Sequence, residues 1–559
     1  MNKDRTSAVV NSALWAAYGD ALGFITELTD AAGVKRRVKT DFVEHTVPWR
    51  RMVGGQFGGQ VTLPAGCYSD DTQLRLATSR AIRPDGSFDV DAFAKVELPV
   101  FDAYALGAGN STKSAAHALA SHSVAWFSNF YRQGKSNYVE AGGNGGVMRI
   151  QPHVWCEMRP GLSPQCVREI IRNVFCSHGH PRALAGALFH AAQLALAIRE
   201  RTLVEPMEWR DALRAMNTVP DLLRRDEQLS LIWIPTWEQA THRSWDEAWR
   251  ETLHELDGFV RMAVECARED GPVEERYRKL VTRLEATSEK VRGEAMRTAV
   301  LAQFLAWACR NDSPRRTVLL AANVLNTDTD TIASVAGALH GAITDEPPDD
   351  EILDRDYIIS EAVRLDRVAR GQKVEYFRYP NVLTWQPPRS QLDVVCVNGG
   401  KLYVAGLGVA KEEGKPLPGR KRDEAWQILL LDFGQTVVIK RRARPLPCAK
   451  SETAMIEPNV DRKPLGIEKT TAPTTGQLSL GETVDDVVPK TTSPQTESMD
   501  ELTNRLIAQG FPPSAIGETL LRLAQNDDGL EKAIAFSAII VKAKRARLRK
   551  EKGDARVSE

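Results

Sequence analysis

Two segments of this chain are apolar around their whole circumference. ALAGALFHAAQLALAIR at 183–199 and EAMRTAVLAQFLAWAC at 294–309 have helix-forming residues and no continuous polar stripe. A helix without a wet face must be wrapped by others, so the pair predicts the centre of a mainly α body. Residues 1–370 share this Ala-, Leu- and Arg-rich helical periodicity and are long enough to do the wrapping. No run of about 18 apolar residues is read as a membrane span. The early stretch AVVNSALWAAYGDALGF is interrupted by Asn11 and Asp20 and reads as a folded helix rather than a leader. Between the two apolar segments, 201–292 is more polar and carries Trp209, Trp233, Trp237, Trp245 and Trp249. It reads as a helical elaboration whose aromatics pack against the main core.

From Lys373 the apolar period changes from 3.6 to 2. KVEYFRYP, LDVVCV, KLYVAG and WQILLLDFGQTVVIKR alternate and are separated by turns that include Asn398-Gly399 and Phe433-Gly434. A small antiparallel β domain is therefore expected over 371–448. Residues 449–498 are rich in Thr, Pro, Ser and charge and contain no aromatic. Such a stretch buries too little apolar area to offset its ordering entropy, so a disordered linker is expected. LTNRLIAQGF, SAIGETLLRLAQ and GLEKAIAFSAIIVKA then predict three short amphipathic helices over 499–546, followed by a basic tail at 547–559.

Lys+Arg and Asp+Glu are 73 each, so no global basic field marks the chain as a dedicated nucleic-acid or anionic-membrane binder. Nucleic acid stays open through local basic segments such as Lys440, Arg441, Arg442 and Arg444. The eight cysteines show no C-x-x-C spacing and read as reduced, buried thiols of a cytoplasmic protein.

The chemistry is concentrated in two acidic clusters. Ser69-Asp70-Asp71-Thr72 leads into QLRLATSRAI, and Asp328-Thr329-Asp330-Thr331 leads into IASVAGALHGAI. Each acidic pair thus stands at a helix N-terminus, where peptide dipoles favour the ionised carboxylate. Two readings follow. Either these are N-caps, or they are a cation site, since a cap needs one oxygen and each cluster presents two carboxylates with hydroxyls. Oxygen donors without His or Cys are hard ligands that favour Mg²⁺ or Mn²⁺. Weaker signals accompany them: Gly19-Asp20-Ala21-Leu22-Gly23 with Glu27 beyond, the glycine run Gly142-Gly143-Asn144-Gly145-Gly146, and Ser177-His178-Gly179-His180 before the helix at 183. The glycine run suits either a diphosphate cradle or a plain turn. Either histidine reads first as an N-cap.

Together and in order, these residues resemble the ADP-ribosylglycohydrolase family. The matching pieces are GDALGFITE at 19–27, GGQFG at 54–58, LPAGCYSDDTQ through 73, GGNGGVMRI at 142–150, SHGHPRALAGAL from 177 and AANVLNTDTDTIASVAGALHGAI at 321–343. The resemblance covers about 8–345, less 201–292. It implies a compact all-α fold with two Mg²⁺ ions, or Mn²⁺, in a cleft. It implies metal ligation by Ser69, Asp70, Asp71, Asp328, Asp330 and Thr331. Glu27 and Asp70 are the implied proton-transfer residues. Gly142, Gly143, Asn144, Gly145 and His178 are the implied contacts to ADP-ribose. The activity implied is hydrolysis of the bond at the ribose anomeric carbon, releasing ADP-ribose from a modified acceptor, expected to be a protein.

This chain departs from the family pattern at three places. Ser69 stands where threonine is usual and keeps the hydroxyl. Asn326-Thr327 stand where two glycines are usual, and Cys67 replaces a common aromatic. The altered Asn326-Thr327 environment leaves room for a non-catalytic ADP-ribose reader, and the unassigned acceptor for a same-fold hydrolase of a small metabolite or nucleic acid. The C-terminal unit weakly resembles ubiquitin-associated and CUE-like domains through Gly510-Phe511-Pro512, Asn526-Asp527-Asp528 and Glu531-Lys532-Ala533-Ile534. It is expected to dock a protein partner.

Overall fold

The computed structural model describes residues 2–53, 59–159, 161–443, 446 and 499–523, with six further positions between 533 and 543. The GGQFG motif, the linker at 449–498 and the tail at 547–559 lie outside the described residues. The helices used below are α1 (Asn2–Thr26), α2 (Asp70–Arg80), α3 (Asn110–Leu119), α4 (Pro164–Phe175), α5 (Pro181–Glu200), α6 (Trp245–Arg268), α7 (Ala295–Ala308), α8 (Thr329–Gly341), α9 (Arg355–Ala369), α10 (Met499–Ala508) and α11 (Pro513–Leu523). The strands are β1 (Trp49–Val53), β2 (Gly59–Leu63), β3 (Val395–Asn398), β4 (Lys401–Val404), β5 (Gly408–Pro418), β6 (Glu424–Leu431) and β7 (Thr436–Arg442).

The apolar helices α5 and α7 sit in the core as their composition demands: nearly every residue of α7 is buried, and most of α5 is, with Arg182 in its first turn and its C-terminal turns emerging. By length and composition α5 is apolar enough to cross a membrane, yet most of it is packed inside this protein core. Helix α1 crosses α8 at backbone contact. A Cβ on Gly19 would stand 2.3 Å from Ala333 O, one on Gly23 2.4 Å from Asp330 Cα, and one on Gly337 2.3 Å from Trp15 O. The helices run antiparallel, which carries the C-terminal end of α1 onto the N-terminal end of α8. That crossing puts Glu27 beside the second acidic cluster.

The tryptophans of 201–292 are buried structural residues. Trp233 stacks on Phe175 of α4 at 4.0 Å between ring centroids and donates to Tyr138 Oη at 2.7 Å. Trp237 donates to Gly179 O, fastening the elaboration beneath the 177–180 loop. Buried aromatics with their N–H groups satisfied in this way are anchors, as the sequence suggested.

Strands β3 to β7 form a five-stranded antiparallel meander in sequence order. Gly399 and Gly400, both at positive φ, make the two-residue turn between β3 and β4. The inner face of this sheet shares one continuous core with the helices, through Leu429, Val437 and Ile439. Residues 1–468 accordingly form a single compact unit, and 469–559 form a second. Buried polar links reinforce the seam. Arg80, at the end of α2, binds Glu97 through Nε at 2.7 Å and Nη2 at 2.8 Å and donates to Gln435 Oε1 at 2.6 Å. Asp354 accepts from Tyr68 Oη at 2.6 Å and from Thr436 N and Oγ1 at 2.7 Å each.

In the second unit, α10 and α11 are followed by helical positions between 533 and 543. Leu506, Phe511, Phe536 and Ile540 make its small core. Cys67, Cys156, Cys166, Cys176, Cys266 and Cys309 are free thiols, and Cys448 lies outside the described residues.

Candidate active site

Asp20 of α1 organises the first acidic cluster. Its carboxylate accepts from Ser69 N at 2.9 Å, from Thr72 N at 2.9 Å and from Thr72 Oγ1 at 2.6 Å. The start of α2 is thereby pinned to α1. Ser69 is the N-cap: its Oγ accepts from Asp71 N at 3.2 Å. With the cap supplied by a hydroxyl, Asp70 and Asp71 are left over for another purpose. Asp70 N donates to Leu106 O at 2.8 Å, and Gly107 lies against both Asp70 Oδ1 and Glu27 Oε2.

The second cluster faces the first. Thr331 Oγ1 donates to Asp71 Oδ2 at 3.2 Å, and Asp330 Oδ1 accepts from Thr331 N at 2.8 Å. Asp328 occupies the N-cap position of α8 but makes no side-chain cap bond. Its Oδ2 instead accepts from Asn144 Nδ2 at 3.0 Å. Asn144 also donates through its backbone to Gly293 O and through Nδ2 to Thr298 Oγ1. The glycine loop is thus fastened to the second cluster and to α7. Gly293 approaches the same carboxylate closely: a Cβ there would stand 2.8 Å from Asp328 Oδ2.

Glu27 is held by Arg51 of β1, Nη2 to Oε2 at 2.9 Å, and that guanidinium lies 4.0 Å from the Phe24 ring centroid. Burial raises the Glu27 carboxyl above its ordinary value, with Arg51 opposing and Asp328 adding to the rise. Burial likewise raises Asp20, and raises Asp70, Asp71 and Asp330 well above the usual carboxylate range, with neighbouring carboxylates adding to each of the last three. Five acids crowded in a dry site repel one another strongly, since like charges at a few ångströms in low dielectric cost several kcal/mol.

His178 is buried, with Nδ1 2.8 Å from Ser177 Oγ and Cε1 against Gly145. Burial and the nearby Arg149 push it down to about 3, so it is a neutral imidazole. His180 is the helix cap: its Nδ1 accepts from Arg182 N at 3.1 Å. Asn326 adopts φ +68°, the left-handed region where the family's glycine would be at ease and asparagine is tolerated. Thr327 is buried and donates to Val324 O. The departure at 326–327 therefore keeps the local backbone path.

All the candidate residues of both clusters, Glu27, the glycine loop and His178 come together around one region. Sequence reasoning named Asp20 only within a weak motif, with no role of its own, and passed over Arg51, Arg75 and Gly293. Arg75 donates to Thr72 Oγ1, Gln151 Oε1 and Met148 O, tying α2 to the end of the glycine-loop motif. Asp20 lies inside the GDALGFITE motif, and its spacing from Gly19 and Gly23 was the available signal. Arg51 had none, being one of two arginines in a short strand.

A family model for ADP-ribosylglycohydrolase matches residues 1–368. The chain belongs to the ADP-ribosylglycohydrolase family. Membership makes it a hydrolase of the ADP-ribosylglycohydrolase type, and the match takes in both acidic clusters, the glycine loop and the tryptophan-rich elaboration. It ends at α9, so the five-stranded sheet and the C-terminal unit lie beyond it. A solved structure titled "ADP-ribosylglycohydrolase-related protein complex" is similar at 19% identity, over 66% of this chain and 99% of that one, with a TM-score of 0.38. No curated protein matches the chain at a significant level.

Proposed function

We propose that this ADP-ribosylglycohydrolase removes ADP-ribose from a modified acceptor with the help of two divalent cations, Mg²⁺ or Mn²⁺. One observation carries the reading: Asp71 Oδ1 is buried with no hydrogen-bond partner, within a cluster whose carboxylates face one another across α2 and α8. An unpaired buried carboxylate oxygen costs several kcal/mol unless a positive group compensates it. Among the described residues, no three His, Cys, Asp or Glu side chains are disposed as a ready cation site. The fit rests instead on a mixed set of hard oxygens, with hydroxyls from Ser69 and Thr331 beside Asp70, Asp71, Asp328 and Asp330.

Cations held there would supply positive charge at the ribose end of the substrate. The chain's own residues do the rest. The Gly142–Gly145 loop offers backbone N–H groups to the diphosphate. Neutral His178, beside that loop, contributes a hydrogen bond rather than a charge. Asn144 links the loop to Asp328, so diphosphate binding and the acidic clusters are set by one geometry. Glu27, raised by burial and steadied by Arg51, is suited to proton transfer at the scissile bond. Cleavage at the anomeric carbon passes through an oxocarbenium-like state that the surrounding carboxylates stabilise. The positive φ at Asn326, a conformation suited to glycine, supports the catalytic reading over a non-catalytic reader.

The test is Mg²⁺-dependent release of ADP-ribose from arginine-, serine- and nucleic-acid-linked substrates side by side. Asp330→Asn should abolish release, and Glu27→Gln should lower kcat by about 10²–10⁴-fold. Turnover that survives EDTA and Asp330→Asn would sink the proposal.

A further inference from the structure

The sheet beyond the family match does more than close the core. Its seam with the helical body opens as a cleft of about 690 Å³, bounded by α3, the segment 385–394 and the ends of β6 and β7. Four cations line it, Lys95, Arg389, Lys421 and Lys440, against two carboxylates, Asp102 and Glu424. The carboxylates are already engaged. Glu424 takes Lys440 at 3.0 Å, and Asp102 accepts from Gln391. Lys95 serves the fold by donating to the carbonyls of Ser121 and Val124. That leaves Arg389 and Lys421 facing the opening, with Arg422 next to Lys421 in the β5–β6 turn. Arg389 and Arg422 have no acidic partner among the described residues, and Lys421 reaches only to 3.9 Å from Glu424. Exposed His117 and His122 of the α3 side add donors, and Pro387, Pro388 and Leu392 give the cleft an apolar wall.

The cleft is close to the chemistry. Lys440 N of β7 donates to Ala103 O at 3.1 Å, and four residues on, a Cβ on Gly107 would stand 3.1 Å from Asp70 Oδ1 and 3.6 Å from Glu27 Oε2. Four residues of chain span at most about 14 Å. Ala103, next to Asp102 in the wall of the cleft, is therefore within about 14 Å of the Gly107 turn beside Asp70 and Glu27.

We infer that this cleft is the acceptor subsite and that it takes a single strand of nucleic acid. The inference rests on the hydrolase reading above and names its substrate class. Unneutralised cations at the rim meet phosphates, while the apolar wall accepts sugar and base faces, an alternation that a nucleotide strand matches. An acidic peptide would compete for the same cations, and the experiment below sets it against the strand.

The experiment uses the full chain with a labelled single-stranded 12-mer, and with the same strand carrying ADP-ribose. Fluorescence anisotropy on the unmodified strand reads the cleft independently of catalysis. In the triple variant Arg389→Glu, Lys421→Glu, Arg422→Glu, binding should fall at least tenfold. The slope of log affinity against log salt should become shallower by about 2, because each phosphate that the variant no longer neutralises removes about 0.7. KM for release from the modified strand should rise in parallel with little change in kcat, and an unaltered melting temperature checks the fold. Equal binding by wild type and variant overturns the inference, as does tighter binding of an acidic peptide than of the strand. Release of ADP-ribose from a small modified guanidine by wild type tests the hydrolase reading separately. If neither the modified guanidine nor the modified strand releases ADP-ribose while strand binding holds, the hydrolase reading falls and the cleft stands as a strand-binding site.

Discussion

Asp71 shows how much one carboxylate can report about the site. Its pKa is raised well above the usual value by burial, then by Asp20 and Asp70. A carboxyl raised in the folded state binds its proton more tightly than in the unfolded chain. Its contribution to stability is present at acid pH and is lost as pH rises from about 4 through the folded value. Cation-free protein should therefore melt at lower temperature at pH 7 than at pH 5. Asp71→Asn should flatten that dependence and raise the cation-free melting temperature, while abolishing the stabilisation that Mg²⁺ gives the parent. Calorimetry with and without Mg²⁺ at the two pH values measures both effects. Arg51 acts on Glu27 in the opposite sense, since its charge lowers a carboxyl that burial raises. Arg51→Met should move the Glu27-dependent limb of the pH–kcat profile to higher pH, leaving activity at neutral pH reduced. An unshifted limb would show that Glu27 does not carry the proton.

Among the elements, the α1–α8 crossing sets the distance between the two acidic clusters. Gly23 meets the backbone of Thr329 and Asp330, which cannot rotate away as a side chain can. Gly23→Ala should therefore cost about 1–3 kcal/mol in urea unfolding through overpacking. It should also weaken Mg²⁺-dependent stabilisation, because the helices part where Asp330 stands. The motif GDALGFITE was legible as a signature, yet its glycines explain themselves only as the contact surface of a helix about 300 residues away along the chain. Asp20 is the same case: a buried acid in an apolar helix, whose partners are two backbone amides on another element. The His178-Gly179-His180 segment divides in a way no spacing could foretell. One imidazole caps α5 and the other lies against the glycine loop.

For the whole molecule, the family match and the folded unit have different ends. The match stops at 368, whereas the compact unit runs to 468. Cutting the chain after residue 370 would strip Gln435 from Arg80 and Thr436 from Asp354 and uncover the core at Val437 and Ile439. That fragment should be insoluble or lack near-ultraviolet circular dichroism. A chain ended at 468 should retain the melting temperature of the full protein. Comparing soluble yield and thermal melts of the two truncations decides the point.

The sequence by itself determined what local chemistry and periodicity can determine. Apolar helices at 183–199 and 294–309 had to be central, and the alternation in LDVVCV, KLYVAG and WQILLLDFGQTVVIKR had to be strand, although KVEYFRYP at 373–380 takes no strand. Paired acids at two helix starts had to be either caps or a cation site. These conclusions rest on short-range patterns, and each survives wherever the elements are placed. Only the tertiary structure decided which of those acids face one another, that Ser69 does the capping, that Arg51 attends Glu27, and that the sheet shares the helical core. Those are contacts between residues far apart in the chain. Pairing of that kind is set by which packing buries the most surface without stranding a polar group, and no local spacing encodes it.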